Sequence, residues 1–259
     1  MVRTALVLES DTGLQVLALP AAGATLGRGA DADLRLIGDT VSRLHAAIRP
    51  DSEGRPDTAG LGSASPNASG CIIETLSQTN PTHVNDVAID RPVPLADGDR
   101  LRLGSARLTF HDLASGDRIS GPLCSHCARE NRPDDHDCWF CGTSLINAPT
   151  NVLAHREVSC RLVSEAGDAS TAGAVHDLLP GESFAINADG AGAVQREGES
   201  LPGAKTLVRL SGSQAVLADP LPPGLRLNDV AARPGQRLSS GDALRSGDTT
   251  FVIIARVDS

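Results

Sequence analysis

Short apolar runs separated by turn-forming residues cover most of the chain, and none has the spacing typical of an amphipathic helix. Residues 4–9 and 14–19 run apolar or alternate on either side of a Ser-Asp-Thr-Gly segment at 10–13, which predicts a β-hairpin. Similar short runs, separated by Gly, Asp, Ser and Pro, continue to Phe110 at a spacing of roughly ten residues. This pattern predicts an all-β fold in the form of a β-sandwich.

A second strand-rich region, from about 159 to 257, repeats part of the first. With a shift of 143, Asn85–Gly104 aligns without a gap on Asn228–Gly247, and ten of the twenty positions are identical. Upstream, a shift of about 160 aligns Ala46–Arg49 with Thr206–Arg209. The change of shift matches a Gly-, Ser- and Pro-rich segment at 51–70, which is typical of a long surface loop and which the second region would lack. The repeat predicts a duplicated sandwich.

Composition narrows the class of protein. A chain of 259 residues with 40% hydrophobic and 21% charged residues is long enough for two globular domains and a small module. Its net charge of −9 leaves no broad basic face for nucleic acid, so that partner is not expected. The N-terminal apolar run is interrupted by Glu9 and Asp11, and no apolar run is long enough for a membrane span. We therefore expect a cytoplasmic protein with no membrane partner. The arginine-biased basic residues are consistent with a bacterial source.

Four of the six cysteines form two Cys-x-x-Cys pairs, Cys124 with Cys127 and Cys138 with Cys141. Four thiolates are the ligand set of a closed tetrahedral Zn²⁺ site, and the segment resembles a short zinc ribbon. Because so short a segment cannot build its own core, the metal would take the place of one. The sequence thus predicts a structural zinc ribbon at 120–146. A redox thiol switch would use the same cysteines, whereas a catalytic zinc would need an open position.

Three polar motifs follow one another in the first sandwich. They are Gly-Arg at 27–28, Ser-Arg-Leu-His at 42–45, and Thr-Asn-Pro-Thr-His-Val-Asn-Asp at 79–86. Their order and spacing resemble the forkhead-associated (FHA) domain, a phosphothreonine-peptide reader whose third motif is Asn-Gly-Thr-x-Val-Asn-Gly. Pro81 and Asp86 stand where the family often has glycine.

The resemblance implies roles for five residues in binding a phosphopeptide. Arg28 would clamp the phosphate, Ser42 would donate its hydroxyl, and Arg43 would add a second donor or charge. Thr79 and Asn80 match positions that contact the phosphothreonine and the neighbouring peptide backbone. His45, by the same resemblance, braces the binding loops internally and does not contact the ligand.

With this resemblance the predicted fold class becomes two FHA-like β-sandwiches joined by a small zinc ribbon. The predicted domains are an FHA phosphopeptide-binding sandwich at 1–113, the ribbon at 120–146, and a degenerate FHA-like sandwich at 155–259. The second copy is called degenerate because Arg28 aligns near Asn187, and the Thr-Asn pair at 79–80 aligns with the Pro-Pro pair at 222–223.

These observations favour a phosphothreonine-peptide-binding adaptor or scaffold in Ser/Thr kinase signalling. Its partners would be a phosphothreonine-containing protein and a Ser/Thr kinase. The alternative is a zinc-ribbon nucleic-acid or transcription-associated factor, with the sandwiches as protein-interaction arms. We do not expect an enzyme, since no nucleophile–base set, P-loop or supported pair of catalytic carboxylates is evident.

Overall fold

The computed structural model of the chain describes residues 4–10, 13–51, 68–113, 122, 124–127, 131, 135–148, 158–165, 173–187, 190–196, 199 and 202–256. Within these ranges there are 21 strands and no helix, which confirms the all-β fold. It follows that no described helix could cross a membrane. Most of the surface loop predicted at 51–70 lies outside the described residues, as do the connecting segments at 114–121 and 149–157.

The first eleven strands span the hairpin predicted at the N-terminus and the region that follows it. They are β1 (Thr4–Ser10), β2 (Gly13–Ala18), β3 (Ala24–Gly27), β4 (Leu34–Arg35), β5 (Ala46–Pro50), β6 (Ala68–Thr75), β7 (Thr82–Val84), β8 (Val87–Ile89), β9 (Val93–Ala96), β10 (Arg100–Leu103) and β11 (Ala106–Asp112). One sheet has the order β2-β1-β11-β10-β7-β8, and the other has the order β4-β3-β5-β6-β9. The predicted hairpin is confirmed as β1 and β2.

Alternating side chains build the core of this sandwich. Val93 and Leu95 of β9 are buried while their neighbours are partly exposed, and Leu101 and Leu103 of β10 repeat that pattern. Phe110 is fully buried and is among the largest core residues, in a chain with little other aromatic content. Every second side chain along these strands therefore points into the core, as the sequence pattern predicts.

The remaining ten strands form two more sheets. They are β12 (Cys160–Glu165), β13 (Val175–Leu178), β14 (Glu182–Ile186), β15 (Gly192–Arg196), β16 (Lys205–Ser211), β17 (Gln214–Leu217), β18 (Arg226–Leu227), β19 (Val230–Ala231), β20 (Ala243–Ser246) and β21 (Thr249–Ala255). Their orders are β13-β12-β21-β20-β18-β19 and β15-β14-β16-β17. Their core centres on Phe184 and Phe251, whose rings meet edge to face at 4.9 Å.

The chain divides into two compact units. One contains residues 6–8 and 19–156, and the other contains residues 1–5, 9–18 and 157–259. The four cysteines at 124–141 thus belong to the same unit as strands β3 to β11.

Candidate functional site

Two loops at one end of the first sandwich are joined by backbone hydrogen bonds. The Arg28 amide donates to the Ser42 carbonyl and the Gly29 amide donates to the Arg43 carbonyl, each at 3.0 Å. Gly27 permits this approach, because a Cβ atom there would lie 2.0 Å from the Arg43 carbonyl oxygen. The Gly-Arg motif therefore sits directly against the Ser-Arg-x-His motif.

The side chains of the two arginines in these motifs, Arg28 and Arg43, are exposed to solvent. Among the described residues, neither Arg28 nor Arg43 has an ion-pair or hydrogen-bond partner for its guanidinium group. A guanidinium group presents donors in a planar fork that suits carboxylate or phosphate oxygens. Two such groups on adjoining loops form a surface that can receive an anion.

A third loop, residues 76–81, completes a hydrogen-bonded cluster beside these arginines. The Ser42 and Ser77 hydroxyl oxygens lie 2.7 Å apart, and the Asn80 side-chain amide donates to the Ser42 hydroxyl at 3.3 Å. The Ser77 hydroxyl also accepts from the backbone amides of Asn80, at 2.9 Å, and Thr79, at 3.3 Å. The structure thus brings Ser42, Thr79 and Asn80 together around one hydroxyl pair.

Ser77 is the member of this cluster that the sequence analysis missed. It lies outside the three motifs, and its one signal is a hydroxyl residue two positions before Thr79. The cluster depends on a contact between residues 35 positions apart, which a local motif does not reveal.

The buried His45 makes hydrogen bonds to both the loop at 42–45 and the loop at 76–81. It is fully buried, its Nδ1 atom accepts from the Ser42 amide at 3.1 Å, and its carbonyl accepts from the Leu76 and Ser77 amides at 2.9 and 3.1 Å. Burial lowers the pKa of His45 below its ordinary value, and this outweighs the Pro81 carbonyl, which acts in the opposite direction. The neutral imidazole is the form that can accept at Nδ1.

The departures from the family glycines are accommodated in different ways. Asn85 and Asp86 form the turn between β7 and β8 with φ values of 49° and 67°, in the left-handed region that asparagine and aspartate tolerate. Pro81 precedes β7 without displacing Asn80 from Ser42, since the 3.3 Å hydrogen bond between them is made.

The four predicted metal ligands form a compact cluster. The Sγ atoms of Cys124, Cys127, Cys138 and Cys141 all lie within 4.8 Å of one another, so this group could hold a metal ion. Two of the Sγ pairs are closer, at 3.5 Å for Cys124 with Cys141 and 3.6 Å for Cys127 with Cys138. The hairpin that carries the second pair turns through a glycine at φ 72°, Gly142, whose amide donates to the Cys138 carbonyl.

Two thiols of this cluster have pKa values shifted in opposite directions. The hydrogen bond from the Cys127 thiol lowers the pKa of Cys138 to about 5, against the opposing effect of burial. Burial raises the pKa of Cys124. Four cysteine side chains, one of them with a lowered pKa, form a donor set that suits a soft or borderline divalent metal.

The second sandwich has a different set of residues at the corresponding loops. Asn187 follows β14 and bonds through its backbone to Ala191, while the segment at 218–225 contains a cis bond between Asp219 and Pro220. Among the described residues of these loops there is no arginine–serine–asparagine cluster like that of the first sandwich.

Comparison with known proteins supports the assignment of the first sandwich. The model of the FHA domain family matches residues 24–104. A solved structure from a study of phosphothreonine-dependent FHA domain interactions is 30% identical, covering 42% of this chain and 94% of that chain with a TM-score of 0.33. The FhaA FHA domain, solved with the intracellular domain of a second protein, is 30% identical over 42% of this chain and 99% of its own, with a TM-score of 0.33.

A third solved structure is EmbR of Mycobacterium tuberculosis in complex with a low-affinity phosphopeptide. It is 29% identical, covering 42% of this chain and 24% of that chain, with a TM-score of 0.31. The search among curated proteins found no match. The three motifs, the sandwich and the family match agree, and through residues 24–104 the chain belongs to the forkhead-associated family.

Proposed function

We propose that the first sandwich reads phosphothreonine peptides and that the protein is an adaptor or scaffold in Ser/Thr kinase signalling. The observation that carries this proposal is the hydrogen-bonded cluster of Ser42, Ser77 and Asn80, on loops next to the exposed side chains of Arg28 and Arg43. An FHA domain is an interaction module and not an enzyme. Absence of catalysis in the whole protein, and a cytoplasmic location, stay predictions.

The chemistry of the cluster matches a phosphate monoester. Such a group carries a charge near −2 at pH 7 and offers three strong acceptor oxygens. Arg28 and Arg43 supply charge and bidentate donors, while the Ser42 hydroxyl can turn its proton from Ser77 toward a phosphate oxygen. Asn80 and Thr79 stand at the edge of the cluster, where a peptide backbone would pass.

The direct test is phosphopeptide binding by the full chain, measured by fluorescence anisotropy with a degenerate phosphothreonine pool and matched unphosphorylated peptides. Arg28→Ala removes a charged donor and should weaken binding roughly 10- to 150-fold, because hydrogen bonds to charged groups contribute about 1.5–3 kcal/mol. Arg107→Ala is the control, since it removes an exposed arginine from β11. Equal binding of phosphorylated and unphosphorylated peptides by the wild type would refute the proposal.

The four-cysteine cluster is proposed to hold a structural Zn²⁺ ion. With Zn–S bonds of about 2.3 Å, tetrahedral geometry separates the sulfur atoms by about 3.8 Å, close to the spacing of the two nearest pairs here. Four thiolates fill the coordination sphere, so the ion would stabilise the fold of this segment and leave no site for a substrate.

Elemental analysis of the purified protein should find about one zinc ion per chain, by the stoichiometry of a four-thiolate site. Cys138→Ser should abolish that content, while Cys71→Ser, which changes a cysteine outside the cluster, should retain it. Metal-free wild-type protein with a full complement of reduced thiols would contradict the proposal. A pair of disulfides in its place would favour the redox alternative.

The second sandwich is proposed to be a degenerate FHA-like copy that does not read phosphate. Its sheet order and the shared turn geometry support a common origin, and among its described loop residues there is no cluster of an arginine with a serine and an asparagine. The nucleic-acid alternative gains no comparable support, because the described residues flanking the second cysteine pair include Asp135 and Asp137.

A further inference from the structure

A hydrogen bond between Asn85 and Cys127 connects the four-cysteine cluster to the FHA domain. The Asn85 side-chain amide donates to the Cys127 carbonyl at 3.0 Å and to the Asp99 carboxylate at 2.7 Å. Its side-chain oxygen accepts from the Arg100 amide at 2.9 Å, so all three polar positions of this carboxamide are used. Asn85 is 7% exposed, and a bond lost at such a site leaves a buried donor without an acceptor.

The second sandwich contains an equivalent asparagine, Asn228, that does not make the bond to Cys127. Asn228 corresponds to Asn85, has φ 50° against 49°, donates to Asp242 at 2.7 Å, and accepts from the Ala243 amide at 2.8 Å. It is exposed, and within the described part of the chain its second amide hydrogen has no acceptor. The two asparagines therefore differ by the contact with Cys127.

The bond between Asn85 and Cys127 lies next to β7, since Asn85 directly follows that strand. At its other end β7 is preceded by the loop at 76–81, which contains Ser77 and Asn80. Cys127 contributes both the carbonyl that Asn85 holds and a thiol of the metal-binding cluster. On the other side, β7 has fully buried side chains at Thr82 and Val84, and Asn80 lies two residues before its start. A metal ion that fixes the Cys127 thiol also fixes its carbonyl, and so restrains the turn at Asn85.

We propose that metal loading of the four-cysteine cluster stabilises the β7–β8 hairpin through the bond between Asn85 and Cys127, and thereby strengthens phosphopeptide binding at the loop before β7. The second half of this statement rests on the proposed reader function. By reciprocity, phosphopeptide would raise the metal affinity of the cluster by the same factor. The cluster then acts as a part of the reader and not as a spacer.

Hydrogen exchange measured by mass spectrometry on the full chain tests the first half without any peptide. The zinc-loaded protein is compared with protein treated with EDTA and a thiol reductant, and the fluorescence of Trp139, the single tryptophan, reports metal release. Exchange in residues 79–89 should become roughly 2- to 10-fold faster on metal removal, the range that one hydrogen bond supports. Residues 222–232 of the second sandwich are the internal control and should not respond.

Two variants isolate the bond. Asn85→Gly keeps a residue that favours the left-handed turn but removes the carboxamide, so metal removal should no longer change exchange in 79–89. Asn228→Gly makes the same change where no cysteine carbonyl is held, and should leave the metal response of 79–89 intact. If Asn85→Gly fails to fold, the wild-type comparison decides alone.

Phosphopeptide affinity provides the second readout. Metal removal should raise the dissociation constant roughly 2- to 10-fold in the wild type, again the range of one hydrogen bond, and should leave it unchanged in Asn85→Gly. Unchanged exchange in 79–89 after verified metal release overturns the proposal, as does faster exchange without any change in affinity. A protein that binds no phosphopeptide in either state instead refutes the reader function, and the exchange experiment still decides the structural link.

Discussion

Asp99 in the first sandwich and Asp242 in the second hold their turns in the same way. Asp99 accepts from the Asn85 side chain at 2.7 Å and the Ala96 amide at 2.8 Å, and Asp242 accepts from Asn228 and the Ser239 amide, each at 2.7 Å. The loops at the other end, which contain Arg28 in the first sandwich, have no such correspondence. Turn and strand residues therefore maintain this fold in both sandwiches, while the proposed binding site consists of a few loop side chains of the first.

The largest difference we expect between the two sandwiches is in the effect of substituting a pair of glycines. Gly104 and Gly247 follow β10 and β20 with φ values of 62° and 61°. A Cβ atom on Gly104 would lie 2.3 Å from the Thr40 carbonyl oxygen, whereas one on Gly247 would meet no atom within 4 Å. Gly247→Ala should therefore cost about 1–2 kcal/mol of folding free energy from backbone strain alone. Gly104→Ala should cost about 2–5 kcal/mol, because overpacking adds to that strain.

Chemical denaturation of both variants measures this difference. Thr40 stands two residues before Ser42, so Gly104→Ala should also weaken phosphopeptide binding, while Gly247→Ala should bind as the wild type does. Equal destabilisation by the two substitutions would show that the packing of the first loop end is not as described.

A smaller difference should separate the two turn aspartates. Asp99 is 5% exposed whereas Asp242 is only partly buried, although they make the same two kinds of hydrogen bond. Asp99→Ala leaves buried donors unsatisfied and should destabilise the protein by about 2–3 kcal/mol, against about 1 kcal/mol for Asp242→Ala, whose partners can turn to water. Thermal unfolding of the two variants against the wild type provides the measurement, and a larger loss at Asp242 would contradict the role of burial.

The smallest effect we expect is on the pH dependence of the unfolding free energy. Each sandwich contains a half-buried or buried histidine whose pKa is lowered chiefly by burial, His45 beneath the loops and His176 against Phe184. A lowered folded-state pKa means that the unfolded chain binds the proton more readily. The contribution of these histidines to the free energy of unfolding is therefore fully present above their ordinary pKa of about 6.5. It is lost as the pH falls toward their lower pKa values in the folded protein.

Unfolding free energies measured between pH 7.5 and 5.5 should fall less steeply in His45→Asn and in His176→Asn than in the wild type. Stability is the chosen readout because phosphothreonine itself titrates near pH 6 and would confound peptide binding. We expect the two reductions in slope to add, since the histidines lie in different units. An unchanged slope in His45→Asn would indicate that this imidazole has the same pKa in the folded and the unfolded protein.

The parts of the molecule that local sequence specifies were predictable. The hairpin of β1 and β2 and the cluster of four cysteines each follow from residues close in the chain. Ser77 was not predictable, because its role arises from a contact with Ser42 across 35 positions. The bond of Asn85 to Cys127 was missed for the same reason, since it joins two motifs that appear independent along the chain.

The turn at Asn85 and Asp86 also bears on the chemical ageing of the protein. Deamidation of asparagine begins when the next backbone nitrogen attacks the side-chain amide carbon, and a side chain on that next residue hinders the attack. The family pattern has glycine there, whereas this chain has Asp86 in the first sandwich and Asp229 in the second. Both turns accept a left-handed aspartate, at φ 67° and 61°, and both asparagines gain a longer chemical lifetime from it.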